Sequence, residues 1–421
     1  MDANVIVILI SLTLFLAYIA GLLYSKTRIP DIIWLIIFGA IVGPITGLIE
    51  ASSMSSLTPM LVLIALNLLM FEAGLNVDLK TFRESMKKSG YLGLITIILT
   101  TFILGYGLHS LFPDLFTLTE GLLFGSMISG TSTSMVLNVL GCINLTSNDA
   151  GQCRLFLVLE SIVTDSVSIV TTMTLIRIIQ MPGGPLSEGI KDIVFVFTIA
   201  SIVGFIIGVA WIQVLDFARN RPFNYIMTVA VLFFSYILGE QIGGPGAGAL
   251  AALVFGVTLT NYPLFARRLG LRENVRIERR RLRGFHEEIT FLIKSFLFLF
   301  AGLQMNLKLE YFAWGFGIAM IIGLVRFVAV YLTNIVTPLT IVEKKVSRLD
   351  FSNGLTAIVL AQIPNMIEGT SHFTDPHIFS SLVVPTVLTS ALFSTLLGPI
   401  IFERKIPILP IETEAPHEKN E

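Results

Sequence analysis

The segment "GSMISGTSTSMVLNV", residues 125–139, interrupts a membrane-spanning run at its centre. Gly130 is followed there by four hydroxylic residues in a row, Thr131, Ser132, Thr133 and Ser134. Small and hydroxylic residues weaken a helix and leave backbone groups free to meet an ion. The alternative is that these small residues only allow neighbouring helices to pack closely.

The composition around this segment is that of a polytopic α-helical membrane protein. The chain has 421 residues, of which 54% are hydrophobic and 14% are charged, whereas a soluble domain usually carries about 25% charged residues. Apolar runs of roughly 20 residues, the length that spans a bilayer, recur along the whole sequence. The two cysteines exclude a disulfide scaffold and lack the spacing of a metal site.

Hydropathy and length predict about thirteen spans in contact with the lipid bilayer. Lysine and arginine are concentrated in alternate loops, which predicts that the amino terminus is outside and the carboxyl terminus is cytoplasmic. The long basic loop after the ninth span sets orientation or additionally contacts anionic lipid. Residues 411–421 are predicted to form a short polar cytoplasmic tail after a transmembrane domain of residues 1–410. The predicted spans are 4–24, 31–48, 57–76, 90–112, 116–141, 151–179, 190–215, 223–242, 245–262, 285–305, 312–336, 349–367 and 378–402.

A second interruption lies in the twelfth span, "FSNGLTAIVLAQIPN", residues 351–365. Asn353, Gly354 and Thr356 open this span and Pro364 lies near its end, although close helix packing is an equally open explanation here. If spans 1–6 and 8–13 form two halves, each interrupted span is the fifth member of its half. The odd seventh span then gives the halves opposite orientations. The predicted fold class is therefore an all-α polytopic membrane protein with inverted repeats and two interrupted crossing helices.

The sixth span, "LVLESIVTDSVSIV", residues 157–170, contains two acids. Asp165 lies near its middle, where a charge is costly and usually faces a polar cavity or a partner. Ser161 and Asp165 share a helix face, as do Glu160 and Thr164. A desolvated carboxylate can bind a proton, and it can release that proton to bind a small hard cation. The alternative for Asp165 is a hydrogen bond that packs helices together.

Arg326 lies near the midpoint of the eleventh span and needs an acid, because a guanidinium does not lose its proton. Glu160 is the best candidate, and the pair would be structural. Glu72 in the third span either joins the ion site or lines the cytoplasmic funnel. Lys294 in the tenth span either neutralises Glu72 or extends toward the interface. No histidines have ligand spacing and no nucleotide-binding motif is present, so we expect no cofactor, no nucleotide and no nucleic-acid partner.

The chain resembles the cation–proton antiporter superfamily, and most nearly the NhaP-type sodium/proton antiporters. The resemblance covers nearly the whole sequence and includes "RIPDIIWLIIFGAIVGP" (residues 28–44), "LLMFEAGLNVDL" (68–79) and "LRGFHEEITFLIKSFLFLFAGLQMNL" (282–307). The family signature in the sixth span is Glu-Ser-x-x-Asn-Asp. Here it is Glu160, Ser161, Thr164 and Asp165, with Thr164 in place of the Asn.

This resemblance implies that Asp165 is the shared ion- and proton-binding carboxylate, that Ser161 and Thr131 complete a Na+ site, and that Glu160 pairs with Arg326. It also implies a homodimer in which a core domain moves as an elevator. Spans 4–6 and 11–13 would form that ion-transporting core, and spans 1–3 and 7–10 the dimerisation scaffold.

Three further residues are expected near the transported ion. Ser132 stands where the family carries an acid, Thr164 stands where it carries Asn or Asp, and Glu72 is left open as above. Because a threonine cannot titrate, the resemblance favours one proton for one sodium or lithium ion, without net charge movement. Potassium/proton antiport on the same fold is the alternative, and a cation channel or a solute symporter is a more distant one. No enzymatic activity is expected.

Overall fold

The computed structural model describes most of the chain, and within that part every regular element is a helix. The predicted tail, residues 411–421, lies outside the described residues, as do Thr133 and Ser134 of the first interruption. The described residues are 3–27, 29–49, 57–77, 79, 83–132, 140, 147–180, 186–217, 224–269, 279–367 and 373–401.

Fourteen α-helices make up the described parts of the chain, with a π-helical turn at Ile41–Ile45 that contains Pro44. Nine of the described helices are long and apolar enough to cross a membrane. Each of the thirteen predicted spans overlaps one of the fourteen, which confirms the predicted class of all-α polytopic membrane protein. The helices are α1 Ala3–Thr27, α2 Asp31–Ala40, α3 Thr58–Leu75, α4 Arg83–Leu111, α5 Leu118–Met127, α6 Ser147–Gln180, α7 Leu186–Phe217, α8 Asn224–Gly243, α9 Ala247–Leu269, α10 Arg279–Leu303, α11 Leu309–Val336, α12 Ile341–Leu349, α13 Leu355–Met366 and α14 His377–Ile401.

The helices pack in two groups. Helices α1–α3 and α7–α10 form one group, in which α9 contacts α3, α7 and α8 while α10 contacts α1, α2 and α3. The other group contains α4–α6 and α11–α14, with α4 against α11 at its centre. Helix α4 packs on α5 and α6, and α11 packs on α12 and α14 in the same way. This equivalence of contacts is what two repeated halves produce.

Two glycine crossings repeat the same equivalence in the first group. Gly39 of α2 meets Gly302 of α10, and Gly74 of α3 meets Gly256 of α9. A Cβ added at Gly39 would lie 2.0 Å from the backbone oxygen of Leu299, so only glycine permits this approach. Small residues at helix interfaces let transmembrane backbones pack closely. In the inverted repeat, the second span corresponds to the ninth and the third span to the tenth. Under this correspondence the contact between Gly39 and Gly302 becomes the contact between Gly256 and Gly74, so the two crossings are equivalent.

The two interruptions cross in the second group. Helix α5 ends at Met127 and α13 begins at Leu355, and neither residues 128–132 after α5 nor residues 350–354 before α13 form a helix. The backbone N–H of Ser132 donates to the carbonyl of Ser352 at 3.0 Å. The side-chain amide of Asn353 donates to the backbone oxygens of Ile128 and Gly130, the latter at 3.0 Å. These bonds satisfy backbone groups that would otherwise be unpaired at membrane depth.

The prediction for the twelfth span was wrong at its start. The predicted spans leave residues 337–348 as a loop between the eleventh and twelfth spans, but residues 341–349 form the separate helix α12. The Thr340 side chain accepts from the backbone of Glu343, whose carboxylate accepts from the backbone of Thr340. This capping box starts a short helix that hydropathy cannot detect because it is charged. The discontinuous helix therefore consists of α12, a non-helical segment and α13.

Candidate functional site

A fully buried ion pair joins α6 to α11. The Nη1 of Arg326 lies 2.7 Å from Oε1 of Glu160, and Nη2 donates to Oε2 at 3.2 Å. The two side chains are 1% and 0% exposed, so water screens the interaction very little. Two parallel N–H···O bonds fix both the distance and the orientation of a guanidinium on a carboxylate. The pair therefore holds α6 and α11 in one relative position.

The other contacts of Arg326 come from α4, α12 and the second interruption. Its Nε donates to the carbonyl oxygen of Ser347 at 2.7 Å, and Nη1 donates to Oγ1 of Thr96 at 3.2 Å. A second carboxylate, Asp350, places Oδ2 at 3.8 Å from Nη2 and is also fully buried. Sequence reasoning did not single out Thr96 or Asp350.

A network of hydroxyl groups connects this ion pair to the first interruption. The hydroxyl of Thr131 donates to Oε2 of Glu160 at 3.0 Å and lies 3.1 Å from the hydroxyl of Thr164. The backbone N–H of Thr131 donates to Thr164 Oγ1 at 3.2 Å, and Ser161 Oγ donates to the carbonyl oxygen of Thr131 at 2.6 Å. Three predicted site residues, Thr131, Ser161 and Thr164, are therefore in direct contact, and α6 fixes the backbone of the interruption at Thr131.

Asp165 lies next to this network, at the wall of a cavity of about 390 Å³. Thr131, Ser132 and Thr356 line the same cavity. A Cβ added at Gly130 would lie 2.8 Å from Oδ1 of Asp165, so the glycine lets the carboxylate approach the backbone. The interrupted span thus supplies the space for the acid as well as the oxygen atoms beside it.

The opposite wall of the cavity carries an ion pair from the first helix group. Lys294 Nζ lies 3.0 Å from Oε2 of Glu72, and about a quarter of each side chain is exposed. Lys294 therefore neutralises Glu72, which was one of the two possibilities left open by the sequence. The cavity lies between the two helix groups, because Glu72 and Lys294 belong to α3 and α10 while Asp165 belongs to α6.

The arrangement can hold either a proton or a small hard cation at Asp165. No lysine or arginine nitrogen in the described part of the chain lies within ion-pair distance of this carboxylate. The hydroxyl of Thr131 lies at the cavity wall, and a hydroxyl oxygen that donates one hydrogen bond can still bind a cation through a lone pair. Oxygen atoms of this kind are the ligands that hard cations prefer. Sequence reasoning placed Thr356 in the second interruption but not in the site.

A family model described as "Sodium/hydrogen exchanger, transmembrane" matches residues 11–404 of the chain. Among curated relatives, the putative cation/proton antiporter YbaL of Escherichia coli is 30% identical over 217 residues, 51% of this chain and 36% of that protein. The Na(+)/H(+) antiporter NhaG of Bacillus atrophaeus is 24% identical over 73% of this chain and 58% of its own length. The chain therefore spans 36% and 58% of these two relatives, less than two thirds of each.

The chain matches the Na(+)/H(+) antiporter 1 of Methanocaldococcus jannaschii over its length, with 22% identity over 90% of both proteins. Among solved structures, that of the sodium proton antiporter MjNhaP1 from the same organism at pH 8 superposes with a TM-score of 0.77. That superposition covers 95% of this chain and 96% of the other at 20% identity, so it establishes the fold.

Proposed function

The chain belongs to the transmembrane sodium/hydrogen exchanger family, a family of transporters, and on that premise we propose that it exchanges sodium or lithium ions for protons across a membrane. The observation that carries the proposal is Asp165, an acid at the wall of a cavity with hydroxyl groups beside it and no ion-pair partner among the described residues. A carboxylate in this setting has two neutral states, protonated and cation-bound. Exchange follows when each state can face either side of the membrane.

Each residue of the site has a distinct part in this proposal. Asp165 carries the transported charge, and Thr131, Ser132 and Thr356 line the cavity with oxygen atoms that replace part of the water around a sodium ion. Ser161 lies within hydrogen-bonding distance of Thr131 and completes the Na+ site, while Thr164 holds the Thr131 backbone in place. The pair of Glu160 and Arg326 is structural.

We infer that exchange is one-for-one and electroneutral. Thr164 stands where the family signature carries Asn or Asp, and its hydroxyl stays neutral at any relevant pH. Arg326 keeps its proton, and Lys294 is held in an ion pair with Glu72. Asp165 is then the one group that exchanges a proton for a cation. Both of its transport-competent states are neutral, so the membrane potential does no work on the exchange.

Alternating access would use the two helix groups as separate bodies. Helices α4–α6 and α11–α14 form the ion-transporting core in this proposal, and α1–α3 with α7–α10 form the scaffold of a homodimer. Sliding of the core along the scaffold moves Asp165 relative to Glu72 and Lys294 on the opposite wall of the cavity. The positive-inside rule places the amino terminus outside, so the cavity bounded by the start of α6 opens to the cytoplasm of a cell-membrane protein.

Potassium/proton antiport is the second candidate, because Ser132 replaces the acid that the NhaP-type motif carries. Replacement of a charged ligand by a hydroxyl weakens the preference for a small cation of high charge density. The fold and the role of Asp165 are the same under both candidates.

Purified protein in acid-loaded liposomes with a pH-sensitive dye tests the function and names the ion. We expect fluorescence to recover when sodium or lithium is added outside, because each entering ion releases a proton. Recovery with potassium alone selects the second candidate. An absence of recovery with all three ions contradicts the proposed antiport.

The rate of exchange is expected to fall at low pH, on the acid limb of its pH profile. The pH at which this fall occurs should depend on sodium concentration. Protons and sodium compete for Asp165, so exchange declines at low pH when protons displace the ion. A tenfold increase in sodium offsets a tenfold increase in protons and should move the acid limb about one unit to lower pH. The measurement is the initial rate of dye recovery across pH at two sodium concentrations. An acid limb that stays in place would mean that ion and proton bind at separate sites.

A further inference from the structure

Two buried carboxylates share a single guanidinium at the centre of the second helix group. Glu160 accepts hydrogen bonds from both terminal nitrogens of Arg326 at 2.7 and 3.2 Å. Oδ2 of Asp350 lies 3.8 Å from Nη2. None of the three side chains is more than 1% exposed. One cation cannot balance two anions, so the cluster carries a surplus negative charge if both acids are ionised.

The surroundings of Asp350 provide nothing that would balance the surplus. Within the part of the chain that the structure describes, neither of its carboxylate oxygens has a hydrogen-bond partner, although buried polar atoms in native proteins nearly always have one. Asp350 also caps the carboxyl end of α12, where the aligned carbonyls form the negative end of the helix dipole. Burial, missing hydrogen bonds and the helix end all disfavour an ionised carboxylate at this position.

Among the described residues, one positive and one negative side chain act on Asp350 from neighbouring helices. These are Arg326 on α11 and Glu160 on α6. Helices α4 and α14 pack nearby and provide hydroxyls instead, Thr96 to Arg326 and Ser394 to the carbonyl oxygen of Leu349.

We propose that Asp350 is a second proton-binding site, which carries its own proton while Glu160 holds Arg326. A proton on Asp350 removes the surplus charge and leaves a neutral cluster. This proton is distinct from the one exchanged at Asp165, because Asp350 is fully buried and is not part of the cavity lining.

The second site is connected to the ion site through three side chains. Loss of the proton from Asp350 would give Arg326 a competing acceptor and draw it from 3.8 Å toward a charge-assisted hydrogen bond of about 2.8 Å. Glu160 would then be held less firmly, and its Oε2 accepts the hydroxyl of Thr131 at the cavity wall. If the proposed antiport is correct, on which this consequence rests, Asp350 adjusts the ion site with pH without being exchanged for the ion.

Infrared absorption spectroscopy of the purified protein in an ester-free detergent tests this proposal, because a protonated carboxylic acid has a C=O stretching band that a carboxylate lacks. We expect Asp165→Asn to retain one such band that does not respond to sodium, and Asp165→Asn/Asp350→Asn to lose it. Glu343→Gln is the matched control, since Glu343 is buried but paired with Lys88 at 3.1 Å, and it should leave the band in place. A band that survives in the double variant, or one that is absent from Asp165→Asn, overturns the second site.

Wild-type protein grown with isotope-labelled aspartate makes the test independent of whether the variants fold. At saturating sodium, a labelled band of a protonated aspartic acid should persist, and its absence overturns the proposal. The infrared result bears on Asp350 alone. Failure of ion-driven dye recovery in liposomes bears on the antiport alone, so the two failures are distinguishable.

Discussion

Replacement of Asp165 by asparagine is expected to reduce ion-driven proton movement to the rate of protein-free liposomes. An amide cannot release a proton at any relevant pH, and it cannot neutralise a sodium ion. The carboxylate lies at the cavity wall beside Thr356 and Gly130, and asparagine has almost the same shape. The fold should therefore survive while exchange is lost. Dye recovery on addition of sodium, lithium or potassium is the measurement.

Glu240→Gln is a control for the loss of a half-buried carboxylate away from the cavity. Glu240 accepts backbone N–H bonds from Gly246 in the turn between α8 and α9 and from Gly248 at the start of α9, and a glutamine oxygen can still accept one of them. We expect this variant to exchange ions. Substantial sodium-driven proton movement by folded Asp165→Asn would remove Asp165 from the centre of the mechanism.

Loss of either member of the Glu160–Arg326 pair is expected to destabilise the protein by about 3–5 kcal/mol, because the remaining charge is stranded in a buried site. Arg326→Ala should cost more than Glu160→Ala. After loss of Glu160, Asp350 at 3.8 Å can release its proton and pair with the arginine, whereas loss of the arginine leaves the Glu160 carboxylate without its cation. The measurement is thermal or denaturant unfolding of the purified protein in detergent.

The double variant Glu160→Ala/Arg326→Ala should cost less than the sum of the two single variants, since residues in direct contact are energetically coupled. Lys88→Ala is a useful comparison, because the Lys88–Glu343 pair is 3.1 Å long but the lysine is 30% exposed. A half-exposed pair of this kind contributes roughly 0–1 kcal/mol. Strict additivity of the Glu160 and Arg326 variants would show that the pair is not a unit in the folded protein.

The sequence predicted the membrane class and the interruptions because both depend on local composition. A run of hydroxylic residues after Gly130 cannot form a regular apolar helix, and Asn353 with Gly354 has a similar effect. Which backbone groups meet at the crossing depends on three-dimensional register. The bond from Ser132 to Ser352 and the two carbonyls bound by Asn353 therefore became known from the structure alone.

The sequence predicted that part of the candidate site in which a charged side chain at membrane depth requires a partner of opposite charge. Arg326 must be matched at membrane depth, and Glu160 was the acid in a suitable span. Asp350 escaped notice because it follows Arg348 at the edge of an apolar run, where a charge is ordinarily placed in a loop. Hydropathy cannot show that α12 is folded back and buries this acid beside Arg326. Thr96 gave no signal either, since an isolated hydroxyl in a spanning helix is common.

The most direct test of the shared site is the number of protons released when purified protein in weakly buffered detergent solution binds sodium near the midpoint of its acid limb. Our account predicts that each bound sodium ion displaces up to one proton, that the release declines as pH rises, and that Asp165→Asn releases none. The proton on Asp350 should remain bound throughout. Sodium binding without proton release at any pH, release of two protons per ion, or undiminished release by Asp165→Asn would contradict competition for a single carboxylate.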